Sequence, residues 1–337
     1  MIKEAIAQVV EGKELSPEQA KGAMDEIMSG NATLSQMGAY IAALRLKGES
    51  IGEITASAQV MRDKAPLVQT EGDVLDIVGT GGDCAFTFNV STVSSLVAAA
   101  AGVQVAKHGN RSVSSKCGSA DVLEALGVKL DLTPSQAAGV LRTTGICFMF
   151  AQVFHSSMKY AAVPRRELGI RTIFNILGPL SNPAHANLQL LGVYDAALCQ
   201  PLAQVLSNLG VRRAMVVYGL DGLDEVSLCG QTQVSELIDQ RVSNYLLTPE
   251  DFGLASCTMD DLRGGDATEN AQIARDILAG GTGPKRDMVL LNSAAALYIA
   301  GKADSLKASV DIARGMIDSG KAADKLEELV RVSNSIS

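Results

Sequence analysis

The sequence contains no tryptophan, and aromatic residues fill only 4% of its 337 positions. A chain so poor in flat rings lacks the material for a base-stacking surface, which argues against the nucleic-acid binders built on that device. Cations are also in the minority: 29 Lys and Arg stand against 37 Asp and Glu, a net charge of −8. DNA binding needs clustered cations to neutralise phosphates, so an acidic chain is a poor candidate. The six cysteines, Cys84, Cys117, Cys147, Cys199, Cys229 and Cys257, form no Cys-x-x-Cys pair. That spacing fits neither a zinc framework nor a small secreted disulfide scaffold, and leaves free thiols in a reducing cytoplasm. The longest apolar stretch, near Val90–Val105, is broken by Ser, Thr and Gly and is too rich in small residues for a membrane span. The N-terminal segment mixes charges throughout and does not read as a signal peptide.

What is present is a chain that is 47% apolar and 20% charged, with ample material for a core. Its length suits two domains or one large one. Residues 1–71 read as helices only. Ser16 caps a helix whose first turn holds Pro17, and Gln19 completes a capping box. Ser35 is expected to cap the next helix, which carries Met37, Tyr40, Ile41 and Leu44 at helical spacing. Ser50 opens another. From residue 72 strands alternate with helices: Val74–Val78, Val103–Lys107 and Ala214–Tyr218 read as strands, and Val90–Ala101 and Ser119–Leu126 as helices. Further helices are expected at Ala271–Leu278, Asp287–Ile299 and Ser305–Ser319. The pattern predicts an α/β protein with a central, mainly parallel sheet and a small all-helical domain. Arg165–Pro183 is helical in pattern and interrupts the α/β stretch. The expected division is therefore 1–71 with about 163–185 as the helical domain, and 72–162 with 186–337 as the α/β domain.

Four motifs carry chemistry. Gly79-Thr80-Gly81-Gly82-Asp83 follows a strand; glycines there let the backbone approach a phosphate and aim its N–H groups at it. It is neither a P-loop nor a Rossmann fingerprint, because the required Lys-Ser/Thr and the glycine spacing are missing. Asn89-Val90-Ser91-Thr92 opens the next helix, where free N–H groups favour an anion; simple N-capping accounts for only one of these residues. The run from Lys107 to Ser119 mixes three cations with four serines, Ser119 included, supplying donors as well as charge. Asp224 and Glu225 follow a strand; paired carboxylates beside a polyphosphate call for a cation between them, and Mg²⁺ suits that arrangement. Asp221 nearby reads as structural.

In this order the motifs resemble the anthranilate phosphoribosyltransferase family. The resemblance covers nearly the whole chain, through Arg165–Asn175, Gly178–Pro183 and Thr248–Leu254, and the Lys107–Gly127 block is its most specific part. It implies transfer of a phosphoribosyl group from phosphoribosyl pyrophosphate to anthranilate, the second step of tryptophan biosynthesis, by a cytoplasmic homodimer formed through the helical domain. It places phosphoribosyl pyrophosphate at Gly79, Gly82, Asp83, Thr87, Asn89, Val90, Ser91 and Thr92. In the third motif it adds Lys107, His108, Gly109, Asn110, Arg111, Ser112, Val113, Ser114, Ser115 and Ser119. Two Mg²⁺ ions would be served by Ser91, Asp224 and Glu225, and anthranilate would meet Gly79, Asn110 and Arg165. Cys84 and Pro164 depart from the family pattern, in which Gly and Val are commoner.

The implied reaction is attack of a weak amine nucleophile at the ribose C1 as pyrophosphate leaves. Lys107 and backbone N–H groups would stabilise the leaving group. No general base stands out; of the three histidines, His155 and His185 read as structural and His108 sits in the third motif. Two rival readings are a pyrimidine nucleoside phosphorylase and a non-catalytic nucleic-acid-binding relative. The Asp224-Glu225 pair argues against the first, and the net charge of −8 against the second. No nucleic-acid or membrane partner is expected. Association with anthranilate synthase subunits is a question the sequence leaves open.

Overall fold

The computed structural model describes residues 1–83, 85–112 and 116–336. Four helices come first: α1 (Ile2–Val10), α2 (Pro17–Met28), α3 (Leu34–Lys47) and α4 (Ile51–Lys64). Each of the last three starts with a reciprocal capping box, which satisfies donors that a helix N-terminus otherwise leaves unpaired. The cap of α3 is Thr33, not the expected Ser35. Thr33 accepts from the Gln36 amide at 3.2 Å, and Gln36 Oε1 accepts from the Thr33 amide at 2.8 Å. Ser35 has Gly38 three residues on, with no side chain to reach back. The cap of α4 does more: the buried Glu53 accepts from Ser50, from the Leu15 amide at 3.0 Å and from Lys47 Nζ at 2.8 Å. One carboxylate thus fastens α3, α4 and the segment before α2.

The α/β part follows as β1 (Leu75–Gly79), α5 (Val90–Ala100), β2 (Val105–Gly109), α6 (Ser119–Ala125), α7 (Pro134–Thr144) and β3 (Ile146–Phe150). Then come α8 (Ala151–Phe154), α9 (Lys159–Leu168), α10 (Phe174–Leu180), β4 (Leu188–Gly192), α11 (Cys199–Asn208) and β5 (Arg213–Gly219). The hairpin β6 (Thr232–Ile238) and β7 (Arg241–Leu247) leads to α12 (Ala267–Leu278), α13 (Pro284–Ile299), α14 (Leu306–Asp318) and α15 (Lys321–Ser335). The seven strands form one sheet in the order β3-β2-β1-β4-β5-β6-β7. β1 to β5 run parallel and the last two strands antiparallel, as expected of a mainly parallel sheet.

From β1 the chain builds outward to β2 and β3, then returns to lay β4 on β1's other side. The switch point lies between β1 and β4, and ligands of open α/β sheets bind beyond the carboxyl ends of strands at such a point. Gly79 and Gly192 end the two strands there and are register partners.

The helical segments α9 and α10 pack back on the N-terminal helices, α9 on α3 and α2 and α10 on α4. Arg62 on α4 fixes the arrangement: Nε donates to the Leu180 carbonyl at 2.7 Å and Nη1 to the Leu209 carbonyl at 3.1 Å. Two apolar cores result. One lies under α5 and α12 to α15. The other begins among α1 to α4 and continues into α10, α11 and the opposite sheet face at Leu191, Val193 and Val216.

Candidate active site

The residues at the switch point are set from below by missing side chains. A Cβ on Gly79 would overlap the Asp224 carboxylate, and one on Gly192 would overlap the Asp224 backbone carbonyl. The turn after β5 therefore lies flat across two strand ends that carry nothing. Asp221 shapes that turn, as expected: its carboxylate accepts from the Leu223 amide at 3.2 Å and from the Ser227 hydroxyl. From the far side Asn292, fully buried in α13, grips Val226 by both backbone groups, at 3.0 and 2.9 Å. Asp224 and Glu225 are thus presented by a rigid turn.

Both carboxylates reach the glycine loop and the α5 N-terminus. The Gly81 amide donates to Asp224 Oδ2 at 2.7 Å, and the Ser91 amide donates to Glu225 Oε1 at 3.2 Å. Burial pushes Asp224 up to about 7, and the nearby charge of Asp83 adds to it. Burial pushes Glu225 up to about 8, with Asp224 adding. Asp224 and Glu225, buried beside Asp83, therefore hold their protons more tightly unless a cation arrives. Lys107 supplies part of the counter-charge from beneath. It is 3% exposed and donates to the Ile77 carbonyl at 2.5 Å and to Ser91 Oγ at 3.2 Å. Burial lowers its pKa, opposed by Asp76 and Glu225.

The donor set suits Mg²⁺. Among the described residues no group of three or more His, Cys, Asp and Glu side chains forms a cage. Mg²⁺ does not ask for one: it is held by one or two carboxylates, with water and substrate phosphate oxygens completing its shell. Asp224, Glu225 and the hydroxyl of Ser91 offer that partial shell.

The third motif divides in two. Lys107 and His108 are neighbours on β2, so their side chains leave opposite faces of the sheet. Lys107 points to the α5 side. His108, expected among the phosphate contacts, is buried on the other side, its ring hydrogen-bonded to the Gly178 backbone and 4.9 Å from the ring of His155. Burial drives His108 well below its ordinary pKa and His155 down to about 4. Arg111 is turned away as well. Its guanidinium donates to Asp121 at 2.9 Å and to Glu124 at 2.7 and 3.0 Å, over the ring of Phe150. The basic appearance of this stretch is therefore locally neutralised. The Ser112 and Gly118 amides donate to Asp121 Oδ2 at 3.0 and 2.8 Å, drawing the loop over the start of α6. Val113, Ser114 and Ser115, like Cys84, lie outside the described residues.

The α5 motif also departs from simple capping. Asn89 occupies the N-cap position without a side-chain cap bond; it donates to the Cys117 carbonyl at 3.2 Å and accepts from Asn270 at 3.0 Å. Val90 is packed in the core and Thr92 Oγ1 is buried without a partner. Thr87 pairs with Arg263 in an isolated bridge. Asn110 and Ser119 meet where the Ser119 hydroxyl donates to the Asn110 carbonyl at 3.4 Å.

Arg165 stands on α9, its guanidinium 5.4 Å from the Phe174 ring centroid, with no acidic partner among the described residues. Burial lowers its pKa. Pro164 sits inside α9 without ending it. Two residues not singled out from the sequence join this wall to the glycine loop. Arg171 donates to the Gly82 carbonyl at 2.5 Å while stacked 4.1 Å from the Tyr194 ring centroid, and the Tyr194 amide donates to Thr80 Oγ1 at 3.1 Å. Gly192, which seats Asp224, was equally silent, being a lone glycine in an apolar run.

Residues 71–323 match the model of the glycosyl transferase family a/b domain, and residues 3–65 match that family's helical bundle domain. An anthranilate phosphoribosyltransferase from Methanobrevibacter smithii is 56% identical over 335 residues, 99% of this chain and 100% of that protein. One from Ruminiclostridium cellulolyticum is also 56% identical, covering 99% of this chain and 98% of that protein. The crystal structure of the enzyme from Thermus thermophilus superposes with a TM-score of 0.94 at 43% identity, over 98% of this chain and 99% of the other. The Saccharomyces cerevisiae enzyme in complex with phosphoribosyl pyrophosphate and Mg gives a TM-score of 0.91 at 28% identity, over 99% and 98%. With its carboxylate turn, its glycine loop and matches of this length, the chain belongs to the anthranilate phosphoribosyltransferase family.

Proposed function

We propose that the protein transfers the 5-phosphoribosyl group from phosphoribosyl pyrophosphate to the amine of anthranilate, giving N-(5-phosphoribosyl)anthranilate and pyrophosphate. The observation that carries this is the Asp224-Glu225 turn laid across Gly79 and Gly192, with its acids hydrogen-bonded to Gly81 and Ser91. Three crowded acids beside a glycine loop and a helix N-terminus make sense when a metal–diphosphate fills the space between them.

The backbone N–H groups of Gly79–Asp83 and the first turn of α5 would receive the diphosphate. Asn89, Thr87 and Ser119 would line the ribose-phosphate end. Two Mg²⁺ ions, held by Ser91, Asp224 and Glu225, would neutralise the departing pyrophosphate. Lys107 acts through Ser91, whose hydroxyl it holds in place. Asn110, Gly79 and Arg165 would meet anthranilate; a planar, unpaired guanidinium is suited to its carboxylate. With no base assigned among the described residues, the chain's own work is to hold donor and acceptor in line and to favour charge on the leaving group. His108 and Arg111 fall outside the phosphate contacts, one buried behind the sheet and the other spent on acids.

The division into a helical unit, 1–71 with about 163–185, and an α/β unit is supported by the packing of α9 and α10 on α2 to α4. Exposed apolar side chains on the helical unit, Val10, Leu34 and Leu46, the last 90% exposed, favour a homodimer through that unit. Among the described residues no helix is long and apolar enough to cross a membrane; a cytoplasmic location fits a biosynthetic role. The deciding measurement is the loss of anthranilate fluorescence on adding phosphoribosyl pyrophosphate, which should require Mg²⁺. Phosphorolysis of thymidine without Mg²⁺ would instead identify a nucleoside phosphorylase.

A further inference from the structure

Cys229 and Cys257 are 28 residues apart in the chain, yet their sulfurs lie 3.7 Å from each other. Both are partly exposed, whereas Cys117, Cys147 and Cys199 are buried. Their backbones already run side by side. The Cys257 amide donates to the Leu228 carbonyl at 3.1 Å, and the Cys229 amide donates to Ser227 Oγ at 2.9 Å. A disulfide needs sulfurs about 2.05 Å apart on neighbouring chains. Here a backbone hydrogen bond already joins the two segments and the sulfurs are in contact, so closure brings them together by less than about 2 Å.

We infer that Cys229 and Cys257 are a modification site, forming a reversible disulfide by exchange with a low-molecular-weight disulfide. Cys257 gives its proton to solvent, and its thiolate attacks one sulfur of the small disulfide. A mixed disulfide forms and one small thiolate leaves. Cys229 then gives up its proton and attacks the Cys257 sulfur; the intramolecular S–S bond forms and the second small thiolate leaves. Two protein thiols are oxidised by two electrons in total, and the small disulfide is reduced to two thiols, which take up the protons. The order of attack follows from the contact between the two sulfurs. Burial raises both thiols, Cys229 up to about 12, but the contact with Cys229 pulls Cys257 down. Cys257 therefore reaches the thiolate more readily.

The bond would join two segments that frame the cleft. Cys229 ends the turn that carries Asp224 and Glu225. Cys257 opens the segment whose far end meets the chain entering α5, where the Phe88 amide donates to the Leu262 carbonyl at 3.2 Å and the Gly264 amide to the Phe86 carbonyl at 2.9 Å. The inference does not depend on the transferase reading, and its test needs no assay of activity.

The whole chain, reduced and freed of reductant, is incubated with oxidised glutathione. Thiol titration and non-reducing intact-mass measurement follow, with peptide mapping. The expected result is a loss of two titratable thiols and a species lighter by two hydrogens, with the Cys229 and Cys257 peptides linked and the change reversed by dithiothreitol. Cys229→Ser should stop at a glutathionyl adduct on Cys257, and Cys257→Ser should give no cross-link; circular dichroism confirms that each is folded. Retention of both thiols in the wild type, a stable glutathionyl adduct without cross-link, or a link between other cysteines would overturn the proposal. An adduct on Cys229 in Cys257→Ser that forms as fast as the wild-type cross-link would overturn the order of attack.

Discussion

Two polar segments lie at the carboxyl ends of strands of the same sheet, β5 and β2, and they are built on opposite plans. The turn at Asp224-Glu225 is fixed from every side: two glycines beneath, Asp221 within and Asn292 behind. The stretch from Lys107 on β2 to Ser119 looks richer in function, with three cations and a run of serines. Yet it spends Arg111 on Asp121 and Glu124, and β2 turns His108 to the far face. Local charge density was the poorer guide. What marks the Asp224-Glu225 turn is that fixed backbone gathers buried acids whose burial and mutual proximity favour their protonated forms.

The contrast can be broken most severely at its foundation. Gly192→Ala places a methyl group where the Asp224 backbone lies, and should lower kcat/KM for phosphoribosyl pyrophosphate by about 100-fold or more, since displacements near 1 Å cost that much. Steady-state kinetics together with an unchanged far-UV circular dichroism spectrum would separate this from unfolding. Asp224→Asn with Glu225→Gln should raise the Mg²⁺ concentration for half-maximal rate by at least about tenfold. An unchanged Mg²⁺ titration would remove the pair from the metal site.

Arg165→Ala tests the opposite wall. It should raise KM for anthranilate by about tenfold, the worth of a charge-assisted hydrogen bond, and leave KM for phosphoribosyl pyrophosphate nearly unchanged; equal losses on both substrates would remove the assignment. The His108–His155 pair tests the far face of β2 by pH. Both rings are kept neutral by burial, so the folded chain binds their protons less readily than the unfolded chain does. Their contribution is fully present above about 6.5, the ordinary histidine value, and is lost as pH falls through about 4. Asp224 and Glu225, held above their ordinary values, push stability the other way over the same range, so the test is a difference: on going from pH 7 to pH 5 the urea midpoint should change more favourably in His155→Asn than in the wild type. The smallest effect is expected at Arg111. Its pairs are exposed and worth at most about 1 kcal/mol, so Arg111→Ala should alter KM for phosphoribosyl pyrophosphate by less than about threefold. A tenfold rise would return Arg111 to the substrate contacts.

Much of this was legible in the sequence. Capping boxes at Ser16 and Ser50 announced their helices, and the apolar run before Gly79 announced β1. The same rule, applied fully, finds Thr33 rather than Ser35, because only Thr33 has a glutamine three residues on. The β6–β7 hairpin was missed for a physical reason. Its turn residues Asp239 and Gln240 both have positive φ, 45° and 70°, a conformation usually announced by Asn-Gly or Asp-Gly. Gly192 and Arg171 could not be read at all, since one acts by leaving space and the other by reaching across the cleft. Asn292 did leave a trace: with Ser293 it interrupts the apolar run that begins at Met288 in α13, and it is buried to 0% exposure.

The apolar core that runs from α1 to α4 through α10 and α11 onto β4 and β5 has a consequence for how the molecule comes apart. The N-terminal helices cannot detach as a free lobe without exposing the faces of α10 and α11 on which α4 packs, and α11 in turn covers the sheet. Melting one part withdraws support from the other, so the sheet face and the helical bundle share a single cooperative fate. The stretch between α9 and α10 belongs to the same body through the buried Ile173, and its Arg171 ties the glycine loop to it at the Gly82 carbonyl.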